Sequence, residues 1–206
     1  MSTAEQTKSR HTSSRNTQMM VRVAMLSALA FGLSLLSIPL PIFPSFLEID
    51  VADTPAVFAA LVMGPLPAIV IQLVKNLLSF LIEGSKTAGV GEFANFIMGA
   101  TMVIPIGIMF RKEKSAKRFV IGAVISVLLT TVVACIMNYF VLLPAFALAF
   151  NTTTDTFVAM GGAIIPFIDT MGEFLLFSIA PFNIFKGIIV FSVSYLIYKF
   201  MKNVNI

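Results

Sequence analysis

The stretch FLLFSIAPFNIFKGIIVFSVSYLIY, residues 174–198, decides the fold class of this chain. Its 25 residues exceed the roughly 20 that an α-helix needs to cross a bilayer. Its only strongly polar members are Asn183 and Lys186. A lysine so far from either end of a spanning helix cannot easily reach water, so it has to face a protein interior or a wet cavity. Because the two residues are three apart, they share one helical face, which predicts a polar site inside a bundle.

Composition supports a membrane protein throughout. Hydrophobic residues make up 58% of the 206, charged residues 12%, and the mean hydropathy is +0.96. The single cysteine, Cys135, excludes a disulfide framework and a multi-thiolate metal site. The only histidine, His11, lies in a polar segment, 1–18, that we expect to be a disordered cytoplasmic tail. A transmembrane domain over 19–201 and a C-terminal tail over 202–206 account for the rest.

Basic residues indicate which side of the membrane each loop occupies. Eleven of the 14 fall in the N-terminal segment, in one short loop and at the C-terminus. Basic loops stay cytoplasmic, so an even number of crossings has to separate these three places. The residues are Lys8, Arg10, Arg15, Arg22, Arg111, Lys112, Lys114, Lys117, Arg118, Lys199 and Lys202.

Three apolar blocks, 19–38, 54–82 and 91–110, precede the basic loop, and the second is interrupted by Gly64-Pro65-Leu66-Pro67. This block is therefore predicted to be a hairpin, and its first arm, 54–63, rises only about 15 Å. Two later blocks, 117–149 and 172–200, add one crossing each. We predict an all-α integral membrane protein: a six-helix transmembrane bundle with a short second helix, in the cell membrane, with both termini cytoplasmic.

Polar groups from three predicted helices converge on the outer half of this bundle. Counted along each helix, Asn138, Asn183 and Lys186 reach similar depths, and Glu92 and Asn95 begin another helix from the outer side. Such groups among many Phe and Leu residues suit a pocket for a flat, hydrogen-bonding small molecule that enters from outside. For a single intramembrane asparagine, an interhelical hydrogen bond is the alternative.

Lys75 also lies near the middle of the membrane, beside Asn76. An ion pair with an acid of a neighbouring helix is at least as good an interpretation as ligand contact. Pro181 removes a backbone hydrogen bond within the last helix and allows a kink near the proposed site.

Two other segments have two interpretations each. The loop PLPIFPSFLEIDVAD (39–53) carries the apolar side chains Phe43, Phe46, Leu47 and Ile49, so it is either a lid over a ligand or a loop packed permanently on the bundle. In the first helix, the spacing of Ala24 and Ala28 forms a small-residue face for close helix packing, within the bundle or against a partner.

Most acidic residues fall on the predicted outer side, and no arginine cluster lies there. This pattern predicts mild repulsion of an anionic solute and no phosphate clamp, unless Lys75 or Lys86 supplies one. Acids that simply follow solvent in outer loops are an equally good interpretation.

Residues 19–201 resemble the substrate-binding S-component of energy-coupling factor (ECF) vitamin transporters, in particular its riboflavin-specific members. Five segments carry the resemblance, and the last two are the most specific. They are PLPIFPSFLEIDVADTPA (39–56), GPLPAIVIQLVKNLL (64–78), EFANFIMG (92–99), NYFVLLP (138–144) and PFNIFKG (181–187).

The resemblance implies a role for each candidate residue. Asn138, Asn183 and Lys186 would contact the isoalloxazine ring of riboflavin, and Ala24 and Ala28 would dock on the transmembrane coupling subunit. The residues implied to complete the pocket are Asn95, Glu92, Phe43, Phe46, Leu47 and Ile49. The implied partners are riboflavin, the coupling subunit, two ATPase subunits and the lipid bilayer, with no nucleic acid and no cofactor of the chain's own.

Other functions remain as alternatives at this point. An intramembrane enzyme is disfavoured because the sequence has no HExxH motif, no paired-Asp motif and no histidine in the bundle. It also has no GxxxxGK[ST] motif, so ATP would have to be hydrolysed by partner subunits. An S-component for another vitamin, or a purely structural membrane subunit, is also compatible with these patterns.

Overall fold

The structure is a computed structural model that describes residues 3–85 and 89–203. These ranges form nine α-helices, two π-helical turns (π1 and π2) and two very short strands. In chain order they are α1 (Thr3–Ser34), β1 (Ile38–Pro39), β2 (Glu48–Ile49), α2 (Thr54–Val62), α3 (Pro65–Ile82), α4 (Val90–Lys112), α5 (Ala116–Met137), π1 (Asn138–Leu142), α6 (Leu143–Ala149), α7 (Thr154–Gly162), α8 (Met171–Phe174), π2 (Leu175–Ile179) and α9 (Ala180–Asn203).

Within the described ranges, five helical segments are long and apolar enough to cross a membrane, as predicted for an all-α membrane bundle. They are Asn16–Ser34, Pro65–Ile82, Val90–Lys112, Ala116–Ala149 and Met171–Met201. Their outer faces expose large apolar side chains such as Leu66, Leu81 and Phe200, each more than 70% exposed. Such faces are stable against lipid rather than water.

The short second helix is present as α2, and it lies at the centre of the bundle. Seven of its nine residues are buried, and it contacts α1, α3, α4 and α9. α2 is the first arm of the predicted hairpin, and α3 is its second arm. Gly64 has φ +94°, a conformation that favours glycine, and Pro65 then begins α3, where its missing N–H costs nothing.

The N-terminal segment differs from the expectation of disorder. α1 begins at Thr3, so residues 3–18 are helical in the structure. No proline or glycine precedes Gly32, and a helix that has formed in the apolar part therefore extends backwards without a stop signal. At the other end α9 continues to Asn203, so only part of the predicted 202–206 tail lies within the described residues.

Both long helical segments of the second half contain a π-helical turn that the sequence analysis did not predict. π1 comes just before Pro144, and π2 comes just before Pro181. A proline cannot donate to the carbonyl four residues earlier and collides with it, and a wider turn relieves that conflict. The kink expected near Pro181 therefore takes the form of π2.

The loop after α1 is organised by a small antiparallel ribbon. Ile38 pairs with Ile49, and Pro39 pairs with Glu48. Between the strands the chain packs on the bundle: the Phe43 ring lies 5.3 Å from that of Phe182, in an edge-to-face arrangement. Phe46 makes similar contacts with Phe157, in α7. The structure thus contains this loop in its packed arrangement.

Close helix packing beside α2 depends on Gly107 in α4. A Cβ at this position would lie 3.0 Å from the backbone nitrogen of Pro65, at the start of α3. Because the obstacle is backbone, Gly107→Val should separate α3 from α4 and destabilise the protein by about 1–3 kcal/mol. Thermal unfolding of the detergent-purified protein measures this change.

Gly32→Val is the matched control, because a Cβ at Gly32 would have none of the described residues within 4 Å. It should leave the unfolding midpoint unchanged or slightly raised. Equal midpoints for the two variants would show that α3 and α4 are not as close as described.

Candidate functional site

A cavity of about 430 Å³ lies at one end of the bundle, between the loop that precedes α2 and helices α3, α4, α5 and α9. This volume is within the range of small-molecule sites. Apolar side chains form much of its wall. They are Leu47, Met98, Met102, Leu142, Phe146 and Phe182.

Seven of the nine residues predicted for the pocket line this cavity. They are Asn95, Asn138, Asn183, Lys186, Phe46, Leu47 and Glu92. The structure therefore brings together side chains from four separate parts of the chain. Their contact with a ligand stays a prediction.

Phe43 and Ile49 do not line the cavity, contrary to expectation. Side chains alternate along a strand, and Glu48 faces the cavity, so its neighbour Ile49 points away from it. Phe43 is buried behind the wall, where it supports Phe182.

Four charged side chains form an alternating network in the cavity wall. The Lys186 Nζ lies 2.9 Å from Asp50 Oδ2 and 3.6 Å from Asp53 Oδ2, and the Lys75 Nζ lies 2.7 Å from Asp53 Oδ1. The side chains of Lys75 and Asp53 are 8% exposed, and those of Lys186 and Asp50 are 16% exposed. The network joins the loop, α2, α3 and α9, and its two ammonium groups balance its two carboxylates.

Asp53 is the residue that connects both lysines. It immediately precedes α2, and Gln72 Nε2 also donates to its Oδ1, at 2.9 Å. Asp50 has fewer hydrogen bonds than Asp53 among the described residues. Its Oδ1 accepts the Ala52 N–H, at 2.8 Å, and its Oδ2 accepts from Lys186. The ion pair expected for Lys75 is thus present, with a carboxylate that the sequence analysis had not singled out.

Three asparagines of the wall share one local arrangement. The side-chain Nδ2 atoms of Asn76, Asn138 and Asn183 each donate to the carbonyl four residues earlier, at 2.8 Å. Each amide oxygen is therefore left to accept a hydrogen bond, with one N–H left to donate. These bonds lie within single helices, so the interhelical bond considered for Asn138 is not what the structure contains.

The rim of the cavity is acidic, a feature that was only partly predicted. The carboxylates of Glu48, Glu83 and Glu92 line it, and each accepts a hydrogen bond from a nearby serine hydroxyl. Thr130 lines the cavity too, and its buried Oγ1 has no hydrogen-bond partner among the described residues. The sequence signal for the acids was their position in loops beside helix ends, which any solvent-exposed acid shares.

The alanine pair of α1 lies away from the cavity. Ala24 and Ala28 are exposed, whereas Ser27 and Ala30, on the other side of the helix, are buried in the bundle. Of the two interpretations of this small-residue face, packing inside the bundle is therefore wrong.

Comparison with known proteins places this architecture among transporters. The family model described as "ECF transporter, substrate-specific component" matches residues 18–198. The chain is 33% identical to the riboflavin transporter RibU of Staphylococcus aureus, with 89% of this chain and 90% of the relative aligned. It is 35% identical to the riboflavin transporter FmnP of Bacillus subtilis, with 89% of this chain and 91% of that relative aligned.

A solved structure of the S component of a bacterial ECF transporter has the same fold. It superposes with a TM-score of 0.72 at 32% identity, over 91% of this chain and 97% of the other. Since the family model spans most of the chain and these relatives align along nearly their whole length, the chain belongs to the family of substrate-specific components of ECF transporters.

Proposed function

We propose that this chain is the riboflavin-binding subunit of an ECF transporter and that the cavity beneath the β1–β2 loop is its binding site. The observation that carries the proposal is the convergence of Asn138, Asn183 and Lys186 on one apolar-walled cavity. Relatives that are about one third identical over nine tenths of the chain are named riboflavin transporters. These names also support a transport subunit over an intramembrane enzyme.

The polar groups of the cavity match the edge of an isoalloxazine ring. That edge carries carbonyl oxygens and ring nitrogens that accept hydrogen bonds, and one imide N–H that donates. The Lys186 ammonium has three N–H donors, so after facing Asp50 and Asp53 it still has one for a ring acceptor. The amide oxygens of Asn138 and Asn183 can accept the imide N–H.

The remaining wall residues then surround the ligand. Phe46 and Leu47 cover one side of the ring from the loop, while Asn95 and Glu92 approach from the start of α4. Phe43 contributes indirectly by holding Phe182 in place.

The membrane orientation follows from charge. We assign the five long segments and the short α2 to a six-helix transmembrane bundle. The basic residues of the α4–α5 connection, from Arg111 to Arg118, belong in the cytoplasm. The cavity, with its acidic rim, lies at the opposite end of α4 and therefore opens outward. Both chain termini are then cytoplasmic.

The exposed alanine face of α1 is the surface we assign to the transmembrane coupling subunit. Small side chains let two helix backbones approach closely within a bilayer. Ala24 and Ala28 supply such a face outside the bundle. We assign the energy supply to two partner ATPase subunits, because the chain belongs to the substrate-specific components of ECF transporters.

Lys186→Met should weaken riboflavin binding about ten- to hundred-fold, since a charge-assisted hydrogen bond contributes about 1.5–3 kcal/mol. Fluorescence titration of the detergent-purified protein measures the affinity. Lys199→Met, which removes an exposed lysine at the far end of the same helix, is the matched control and should bind like wild type. An unchanged affinity for Lys186→Met would remove this residue from the site.

Ala24→Trp and Ala28→Trp should retain riboflavin binding in the isolated chain yet abolish ATP-dependent uptake and co-purification with the energising subunits. A bulky side chain there prevents close helix approach without reaching the cavity. Paired binding and uptake assays on the same variants measure both effects.

Val132→Trp is the control for bulk alone, because Val132 is 55% exposed on a different spanning helix, α5. It should preserve binding and uptake. Uptake that persists in both alanine variants would show that α1 is not the docking surface.

A further inference from the structure

Carboxylates outnumber lysines among the described residues that line the cavity, and the binding of riboflavin alone does not account for this excess. Among the described residues, two lysines line it, Lys75 and Lys186, and both are paired with carboxylates. Lys86, considered above as a phosphate clamp, lies outside the described residues. Three further carboxylates, those of Glu48, Glu83 and Glu92, stand on the rim. None of the lining residues in the described part of the chain is an arginine. The described part of the wall therefore carries more negative than positive charge.

We propose that Asp50 and Asp53 are specificity-determining residues: they cancel the charge of the two lysines, so that the cavity offers an ammonium donor to an uncharged ligand and rejects an anionic one. This inference rests on the proposed function and deepens it. It assigns to two named carboxylates the choice between riboflavin and its 5′-phosphate.

The geometry supports this role for both aspartates. Lys186, with Asp50 and Asp53 at 2.9 and 3.6 Å, presents a hydrogen-bond donor whose long-range field is cancelled. Lys75 is turned toward Asp53, at 2.7 Å, and is not left as a free cation. A phosphate at the mouth of the cavity would meet the unbalanced rim carboxylates. Because Glu48 and Glu83 are exposed to solvent, this repulsion is strongest at low ionic strength.

The two aspartates differ in how they can be tested. Asp53 is buried and also holds Gln72, so its removal would strand a buried lysine and threaten folding. Asp50 is more exposed, and an asparagine in its place keeps an oxygen that can accept the Ala52 N–H. Asp50→Asn therefore removes one negative charge with little other change.

The experiment titrates riboflavin and riboflavin 5′-phosphate into the full-length purified protein at low salt and compares the ratio of the two dissociation constants. In Asp50→Asn the ratio of the phosphate's constant to that of riboflavin should fall by about fivefold or more, because one uncompensated positive charge now favours the anion. Asp50→Glu restores the charge and should restore the wild-type ratio.

Glu113→Gln is the matched control, since it removes the same charge from an exposed carboxylate in the α4–α5 connection, paired with Arg118 and distant from the cavity. Its ratio should equal that of wild type. A wild-type ratio in Asp50→Asn that still binds riboflavin would overturn the inference, as would an equal fall in Glu113→Gln. Should Asp50→Asn not fold, Asp50→Ser carries the same test with the same expected direction, because it removes the same charge and its hydroxyl can still accept the Ala52 N–H. Wild-type protein that binds neither flavin would instead refute the proposed function.

Discussion

Two lysine ammonium groups have to be accommodated inside a bundle of apolar helices, and the Asp53 carboxylate faces both of them. A buried charge costs several kcal/mol unless an opposite charge and hydrogen bonds compensate it. Asp53 provides this compensation from the residue just before α2, for Lys75 in α3 and Lys186 in α9. The position of the short central helix, the packing of the loop that leads into it and the polar floor of the cavity all follow from this one requirement.

Departures from regular helix place the other polar groups. Asn138 begins π1, and Asn183 follows π2 and donates to the carbonyl of its last residue, Ile179. Pro144 and Pro181, each two residues after the end of a π-helical turn, account for π1 and π2. The same feature of the sequence thus interrupts two long spanning helices beside the cavity, where amide groups become available to a ligand. The side chains that both turns expose, such as Phe140 and Leu176, are apolar, as contact with lipid requires.

Local signals in the sequence were sufficient for much of this architecture. Apolar length predicted the long helices, Gly64-Pro65 predicted the hairpin, and an isolated Lys186 predicted an inward-facing polar site. The partner carboxylates could not be predicted, because Asp50 and Lys186 are 136 residues apart and only the three-dimensional fold brings them together. The pairing register of a two-residue ribbon, which turns Ile49 away from the cavity, also has no strong local signal. The polar composition of 3–18 predicts disorder, but the segment contains no helix-breaking residue, and α1 extends through it.

The central claim is that the cavity formed by the loop, α3, α4, α5 and α9 binds riboflavin. The most direct measurement is a titration of the purified, ligand-stripped chain with riboflavin, followed through the flavin fluorescence and the absorbance of the isolated complex. The structure predicts saturation at one riboflavin per chain, with flavin absorbance that stays with the protein through gel filtration. A chain that remains folded but retains no flavin at any concentration would contradict this account.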